Sequence, residues 1–121
     1  MRSLGPLETA VMEVLWKSAE PMSVRQVADA LRDRGLAYTT LATVLDNLHR
    51  KEWVDRDRVG RVWFYRPRMR SSEYAARVMR EALAASDSPR ATFLKFVEEI
   101  TDDEAAMLRE LLAEDDRRER R

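Results

Sequence analysis

The sequence predicts a mainly α-helical fold that carries one small β-hairpin. Glycine and proline number only 3 and 4 among 121 residues, and this scarcity favours helices over a turn-rich all-β fold. Apolar residues recur at helical spacing before residue 51 and again after residue 70. Between them, residues 53–65 are rich in aromatic and β-branched side chains on either side of Gly60. Three helices followed by a hairpin within residues 1–68 is the order of a winged helix-turn-helix.

The ends of the first three helices are predicted from local signals. Pro6 suits the first position of a helix that continues to about Trp16. Residues 23–26 read Ser-Val-Arg-Gln, a capping box that opens a second helix ending near Gly35. A threonine within residues 38–40 is predicted to cap the third helix, which continues to about residue 51.

The third helix has two dissimilar faces. Its apolar residues follow the spacing i, i+3, i+4, i+7 and are predicted to face the core: Leu41, Val44, Leu45 and Leu48. The opposite face carries small hydroxyl and methyl groups, then polar and charged ones: Thr39, Thr40, Ala42, Thr43, Asp46, Asn47 and Arg50. Thr and Ala contact thymine methyls, Asn pairs with adenine, and Arg binds guanine or phosphate. This face predicts a helix that lies in the major groove of DNA, the alternative being an ordinary solvated helix face.

The predicted hairpin is basic. Residues 49–70 contain 8 Lys and Arg side chains against 3 Asp and Glu. Arg56, Arg58 and Arg61 surround the tip, from which cations reach phosphates or the minor groove. With Lys51 at the end of the third helix, Arg58 and Arg61 complete the set of residues predicted to contact DNA. The alternative is a charged, solvent-exposed edge hairpin.

Two further predictions concern polar and aromatic residues of this part. Asp46 repels phosphate unless it accepts a hydrogen bond from a cytosine amine or pairs with Arg50 at i+4. Trp16, Trp53 and Trp63 are predicted to pack in the core.

Residues 69–121 are predicted to form three more helices. The first covers residues 74–83, the second opens at Ser88-Pro89, and the third is capped by Thr101, while the charged tail 115–121 frays. These helices have wide apolar faces but too little surface for an independent domain of about 50 residues. Pairing with a second copy would bury the faces through Tyr74, Val78, Phe93, Phe96, Val97, Leu108, Leu111 and Leu112.

Charge divides the chain in the same way. Residues 1–68 contain 12 basic and 9 acidic side chains, whereas residues 69–121 contain 10 and 13. A basic module followed by an acidic one fits a nucleic-acid-binding part joined to a part with another task. The sequence therefore predicts a winged-helix DNA-binding domain over 1–68 and a helical dimerisation region over 69–121.

Several classes of function are disfavoured by what the sequence lacks. No cysteine is present, which excludes disulfides, thiol nucleophiles and Cys-ligated zinc. There is no Ser-His-Asp arrangement, glycine-rich phosphate loop or metal-ligand cluster, so we expect no enzyme activity, metal or cofactor. No apolar stretch approaches the roughly 18 residues of a membrane span, and no signal-peptide pattern is visible. We expect a cytoplasmic protein that does not insert into a membrane.

Several motifs resemble the penicillinase-repressor family of the BlaI/MecI type, over about residues 4–113. They are LGPLE at residues 4–8, VM at 11–12, LW at 15–16, YTTLATVL at 38–45, WV at 53–54, the 61–67 strand with Tyr65, and FVE at 96–98. The resemblance implies a homodimer with an N-terminal winged helix and a C-terminal helical dimerisation region. It also implies binding to palindromic double-stranded operators in front of β-lactamase or other β-lactam-response genes. The copper-responsive CopY branch uses C-terminal cysteines, which this chain lacks.

The resemblance further implies a route of induction, and two alternatives remain open. In the family a membrane sensor-protease responds to β-lactam, and the cleaved bond corresponds to Lys95-Phe96 here. One alternative is a winged-helix repressor that responds to a different small molecule, held in a pocket near the dimer helices. The other is a winged-helix protein-interaction module whose basic hairpin binds an acidic partner.

Overall fold

The computed structural model describes residues 4–120, which divide into two compact units, one extending to Ala76 and the other beginning at Arg77. The first unit contains α1 (Pro6–Lys17), β1 (Met22–Ser23), α2 (Val24–Ala30), a 3-10 turn (Arg32–Arg34), α3 (Tyr38–Arg50), β2 (Val54–Val59) and β3 (Val62–Pro67). Helix α4 (Ser71–Ala85) begins in the first unit, and α5 (Pro89–Glu99) and α6 (Asp102–Glu119) belong to the second. The mainly α fold with a hairpin wing is confirmed. The functional division between 1–68 and 69–121 stays a prediction.

The first two helices begin as their sequences predict. Pro6 occupies the first turn of α1, and the Gly5 N–H donates to Glu8 Oε1 at 3.0 Å. At α2, the Gln26 N–H donates to Ser23 Oγ at 3.2 Å, and the Ser23 N–H donates to Gln26 Oε1 at 2.9 Å. This reciprocal pair is the predicted capping box. Gly35 follows the 3-10 turn with φ +62°, a left-handed conformation that favours glycine.

The predicted threonine cap of α3 is wrong. The N-cap residue is Ala37, whose extended backbone lets its carbonyl accept from the N–H groups of Thr40 and Leu41 at 3.1 and 3.2 Å. Thr39 and Thr40 therefore lie inside the first turn, where both side chains are exposed. The earlier start leaves these threonines on the helix surface.

The hairpin belongs to a three-stranded antiparallel sheet with the strand order β1-β3-β2. The pairing of β2 with β3 extends from Val54 and Pro67 to Val59 and Val62. The two strands are therefore joined by a tight turn that contains Gly60, whose φ is +63°. The two residues of β1, Met22 and Ser23, pair with Tyr65 and Phe64. This added strand fixes the start of α2 beside the wing.

The first unit has one apolar core between the helices and the base of the sheet. Leu41, Leu45 and Leu48 are fully buried on one side of α3 and pack with residues of α1, α2 and the sheet: Val11, Met12, Leu15, Val27, Trp53, Val54 and Tyr65. The chain after the sheet closes this core. Trp16 Nε1 donates to the Met69 carbonyl at 2.7 Å, and the Tyr74 ring lies 5.5 Å from Trp16 and 5.3 Å from Trp53.

The second unit consists of helices without a buried core of their own. Ser88 caps α5, and Thr101 forms a capping box with Glu104 at the start of α6. Helix α6 continues to Glu119, so the predicted fraying of the tail is wrong for residues 115–119, and residue 121 lies outside the described chain. Acidic residues in the first turn and arginines in the last turn suit the helix dipole. Among residues 4–120, no helix is long and apolar enough to cross a membrane.

Candidate nucleic-acid interface

Helix α3 presents an open polar face opposite its buried leucines. Thr39, Thr40, Thr43 and Arg50 are exposed, and Ala42, Asp46 and Asn47 are half-buried. All the residues that the sequence predicts on this face therefore lie at the surface of one helix. Small residues occupy its amino end, and the longer polar side chains occupy its carboxyl end. A helix with this profile has the width and surface chemistry to enter a major groove.

Several of these polar side chains already have partners within the protein. The Thr43 hydroxyl donates to the Thr39 carbonyl at 3.0 Å, which leaves its methyl group for apolar contact. The Asn47 Oδ1 atom accepts from Arg50 Nη2. Such bonds hold the side chains in defined positions before any partner binds, so less conformational freedom is lost on binding.

Asp46 has two cationic partners. Its Oδ2 atom lies 3.4 Å from Arg50 Nε, as the i+4 spacing predicts, and its Oδ1 atom lies 3.3 Å from Arg56 Nη1. The second contact comes from strand β2 and had no signal in the sequence of the helix. Arg56 also packs on the wing, since its guanidinium carbon lies 4.3 Å from the centre of the Trp63 ring. Trp63 is 36% exposed, so its predicted place in the core is wrong.

Lys51 closes α3 and binds α1. Its Nζ atom lies 2.8 and 3.0 Å from the two carboxylate oxygens of Glu8. Burial by itself would raise the pKa of the Glu8 carboxyl. The hydrogen bonds from Lys51 and the Gly5 N–H, with the Lys51 charge, outweigh burial and hold this pKa below its ordinary value. The ion pair gives Lys51 a structural role, and its predicted contact with DNA stays a prediction.

Some arginines of the wing form ion pairs with carboxylates, and others do not. Arg66 pairs with Asp55 and Asp57, and Arg68 pairs with Asp55 and Glu52, so these cations are largely neutralised. Arg58 and Arg61 near the tip are exposed, and within residues 4–120 no carboxylate lies within ion-pair distance of either. Within the wing, the positive charge available to an anionic partner is therefore concentrated at the tip.

A groove of about 510 Å³ runs between the amino ends of α2 and α3 and strand β3. Its lining includes two arginines, a glutamine and aromatic rings: Arg25, Gln26, Tyr38, Arg61, Trp63 and Phe64. Ala42 of α3 also lines it, so the groove adjoins the polar face of that helix. Cations and hydrogen-bond donors around an open groove suit a phosphate-bearing strand.

The residues predicted to dimerise lie mostly in the second unit. Seven of them are between 38% and 67% exposed: Val78, Phe93, Phe96, Val97, Leu108, Leu111 and Leu112. Tyr74 differs, because its ring packs against Trp16 and Trp53 within the first unit. This intramolecular packing, rather than an intermolecular contact, accounts for its partial burial.

The predicted cleavage bond, Lys95-Phe96, lies inside α5, with both side chains exposed. Lys95 Nζ lies 3.7 Å from a carboxylate oxygen of Glu98, and the Phe96 carbonyl accepts from the Ile100 N–H at 3.1 Å. The bond is therefore at the surface but in helical conformation.

Metal-binding geometry is absent from the part of the chain that the structure describes, where no three His, Asp or Glu side chains are grouped to hold an ion. His49 lies half-buried in the last turn of α3. The acidic residues Asp102, Asp103 and Glu104 occupy the first turn of α6, where they complement the helix dipole.

Comparison with known proteins agrees with this geometry. The family model described as Penicillinase repressor matches residues 4–114. The "Transcriptional regulator BlaI" of two Mycobacterium tuberculosis strains, CDC 1551 / Oshkosh and ATCC 25618 / H37Rv, is 45% identical over 115 residues, covering 92% of this chain and 83% of theirs.

Two solved structures share the fold at low sequence identity. The hsRosR-S4 complex aligns with a TM-score of 0.55 and 18% identity, over 88% of this chain and 94% of that one. The PcaV transcriptional regulator from Streptomyces coelicolor, in complex with its natural ligand, aligns with a TM-score of 0.50 and 20% identity, over 92% and 73%. By the family match and the identity to these regulators, the chain belongs to the penicillinase repressor family and is a winged-helix DNA-binding transcriptional repressor, not an enzyme.

Proposed function

We propose that the protein acts as a homodimer that binds palindromic double-stranded operators in a sequence-specific manner. The observation that carries this proposal is the open face of α3, which lies beside the unpaired arginines of the wing. Helix α3 enters the major groove, and Arg58 and Arg61 reach the phosphates or the minor groove.

The residues of α3 divide into two roles. Those that read bases are small or carry an amide: Thr39, Thr40, Ala42, Thr43 and Asn47. Arg50 lies one turn after Asp46 at the carboxyl end and binds guanine or the DNA backbone. Lys51 contributes at the margin, because Glu8 already neutralises most of its charge.

The groove between α2, α3 and β3 supports the same orientation of DNA. Arg25 and Arg61 lie along its lining, and Ala42 connects it to the base-reading face. A duplex whose major groove receives α3 places one phosphate backbone beside such a groove. Positioning contacts to that backbone fix the register in which α3 meets the bases.

The exposed apolar face of the second unit supports dimerisation through a second copy of the chain. No described residue in α5 or α6 is buried, although the two helices carry Phe93, Leu94, Phe96, Val97, Met107, Leu108, Leu111 and Leu112. Patches of this kind on a soluble domain mark an interaction surface. A second copy supplies an identical apolar surface, and its winged helix supplies the second reader for a palindrome.

The genes under control are proposed from the family and its relative. Membership of the penicillinase repressor family and 45% identity to the transcriptional regulator BlaI support β-lactamase or other β-lactam-response genes as targets. Loss of dimerisation relieves repression, because each winged helix then keeps only its own contacts. A membrane sensor-protease acting at Lys95-Phe96 would achieve this, and it would need α5 to open locally before cleavage.

One experiment tests the proposal directly. Genomic fragments from the source organism are selected with the purified full-length protein, and the recovered site is titrated beside a shuffled duplex of the same composition. We expect a palindromic site bound about 1,000-fold more tightly than the shuffled duplex, with affinity falling steeply as salt rises. Equal affinity for both duplexes at every salt concentration would contradict sequence-specific binding.

A further inference from the structure

An acidic residue lies in the middle of the proposed recognition helix. The Asp46 side chain is 48% exposed on the open side of α3, between Thr43 and Asn47. A carboxylate here repels the phosphates that the neighbouring arginines attract. By itself this carboxylate therefore weakens DNA binding, so we looked for a contact through which it also favours binding.

The carboxylate joins the helix to the wing. One oxygen lies 3.4 Å from Nε of Arg50 on α3, and the other lies 3.3 Å from Nη1 of Arg56 on β2. The Arg56 side chain is only 23% exposed, and its guanidinium lies 4.3 Å from the ring centre of Trp63 on β3. Arg56 is thus held between a carboxylate of the helix and an indole of the wing.

Trp63 supports two arginine side chains of the wing. An indole face attracts a guanidinium group and supports its flat surface. Arg58 lies over the same ring at 5.5 Å, directly across the ladder from Trp63. The exposed tryptophan therefore orders two arginines of the wing, and Asp46 fixes one of them to α3.

We propose that Asp46 determines the specificity of DNA binding as a positioning residue, by holding Arg50 and Arg56 against the protein and the wing against α3. This inference rests on the proposed function, in which α3 and the wing contact DNA. One negative charge offsets one of the two guanidinium charges, so this cluster attracts phosphates of any sequence less strongly. A wing fixed to α3 keeps the base-reading side chains in register. Both effects raise the ratio of specific to non-specific affinity.

The test uses the full-length protein with two matched variants. Asp46→Asn removes the charge and preserves the shape of the side chain. Asp57→Asn is the control, since it removes the same charge from the hairpin that Asp46 contacts, but its carboxylate pairs with Arg66 instead of Arg56. Dissociation constants are measured for the selected operator and for a shuffled duplex of the same composition, each over a salt series.

We expect Asp46→Asn to bind the shuffled duplex about tenfold more tightly, while operator affinity stays near that of the unmodified protein. The specificity ratio therefore falls about tenfold. The salt dependence on shuffled DNA steepens by about one unit for each released arginine that gains a phosphate. Asp57→Asn leaves the specificity ratio unchanged.

A third variant tests the contact between Asp46 and Arg56 from the arginine side. Arg56→Gln removes the arginine and leaves Asp46, so we expect a lower specificity ratio without tighter binding to shuffled DNA. A double variant combines Asp46→Asn with Arg56→Gln. Its loss of specificity should be no greater than the larger of the two single losses, because both substitutions break the same contact between Asp46 and Arg56.

Three results would overturn the inference. The first is an Asp46→Asn variant that matches Asp57→Asn. The second is a loss of discrimination confined to one base pair without tighter non-specific binding, which means that Asp46 reads a base directly. The third is additive losses in the double variant. An unmodified protein without sequence preference would instead contradict the proposed function, and the inference with it.

Discussion

The two compact units of this chain solve the problem of apolar burial in different ways. In the first unit, α1, α2 and α3 close over the sheet, and Leu41, Leu45 and Leu48 are fully buried. In the second, the described parts of α4, α5 and α6 have no buried residue, and large side chains such as Phe93 and Leu112 remain exposed. A unit with its own core folds within one chain, whereas a unit without one needs a surface from elsewhere.

Under the proposed function, the two units have separate tasks. A rigid first unit presents the side chains of α3 in fixed positions, as base reading requires. In that proposal, the second unit determines whether two such readers act together. Repression then depends on both units, but a substitution can impair either unit without affecting the other.

The largest expected effect comes from removing most of the second unit. A fragment of residues 1–95 keeps every element of the first unit and loses the end of α5 and all of α6. We expect it to fold, to be mainly monomeric and to bind the operator more weakly by a factor of at least about 100, because it loses the high effective concentration that a linked second reader supplies. A band-shift titration beside the full-length protein measures this. Equal affinities would show that α5 and α6 do not couple dimerisation to DNA binding.

Two leucine substitutions compare the units directly. Leu45→Ala empties a fully buried site in the first unit and should lower its free energy of unfolding by about 2–5 kcal/mol. Leu111→Ala, on the exposed face of α6, should instead weaken dimerisation by about 1.5–3 kcal/mol for each buried leucine.

Fluorescence and sedimentation separate these two outcomes. All three tryptophans lie in the first unit, so their emission during urea unfolding reports on that unit. Sedimentation equilibrium reports on dimerisation. If Leu111→Ala leaves the dimerisation constant unchanged, the exposed face of α6 does not take part in dimerisation, and the expected difference between the two units is wrong.

Within the first unit, base reading and backbone contact should separate. Thr43→Ala and Asn47→Ala are expected to cost about 1–3 kcal/mol each at defined base pairs and little on shuffled DNA. Arg58→Ala and Arg61→Ala are expected to weaken binding to every sequence and to reduce the salt dependence by about one unit for each lost phosphate contact. Titration of each variant against single-base operator variants checks both expectations. The roles are inverted if the wing variants change the preferred bases and the helix variants do not.

The smallest expected effect concerns the ion pair between α1 and the end of α3. The pKa of Glu8 lies below its ordinary value, so ionisation of this carboxyl stabilises the folded state above that ordinary value of 4.5. The contribution declines as the pH falls through the lowered pKa, where the folded state takes up the proton. Glu8→Gln should therefore lower the free energy of unfolding by about 1 kcal/mol at pH 7.

A pH series identifies the source of this effect. The difference between Glu8→Gln and the unmodified protein should shrink as the pH falls below 4.5. Glu13→Gln on the same helix is the control, because Glu13 is exposed and makes no ion pair among the described residues. If the loss of stability in Glu8→Gln stays constant down to the lowest pH of the series, it results from packing and not from charge.

Features set by local sequence could be predicted well. The capping box at Ser23 and Gln26, and the division of α3 into a buried and an open face, depend on residues within one or two turns of each other. The start of α3 was misplaced because the Ala37 carbonyl accepts the first helical bonds without any side-chain cap.

Features set by distant contacts could not be predicted from local patterns. Strand β1 has two residues and exists only because it pairs with Tyr65 and Phe64, more than forty positions later. The Lys51 contact to Glu8 and the Arg56 contact to Asp46 likewise join separate elements. The candidate site was therefore predictable as a set of exposed residues, but the connection of the helix to the wing was not.

The proposed function requires the second unit to pair two copies, so that two α3 helices read one operator. The most direct measurement is the mass of the protein–DNA complex in sedimentation equilibrium, on duplexes with the complete palindrome and with one half-site. We expect two copies to bind the palindrome in a single step, and the half-site duplex to be bound about 100-fold more weakly. A single copy bound to each duplex with the same affinity would contradict the account.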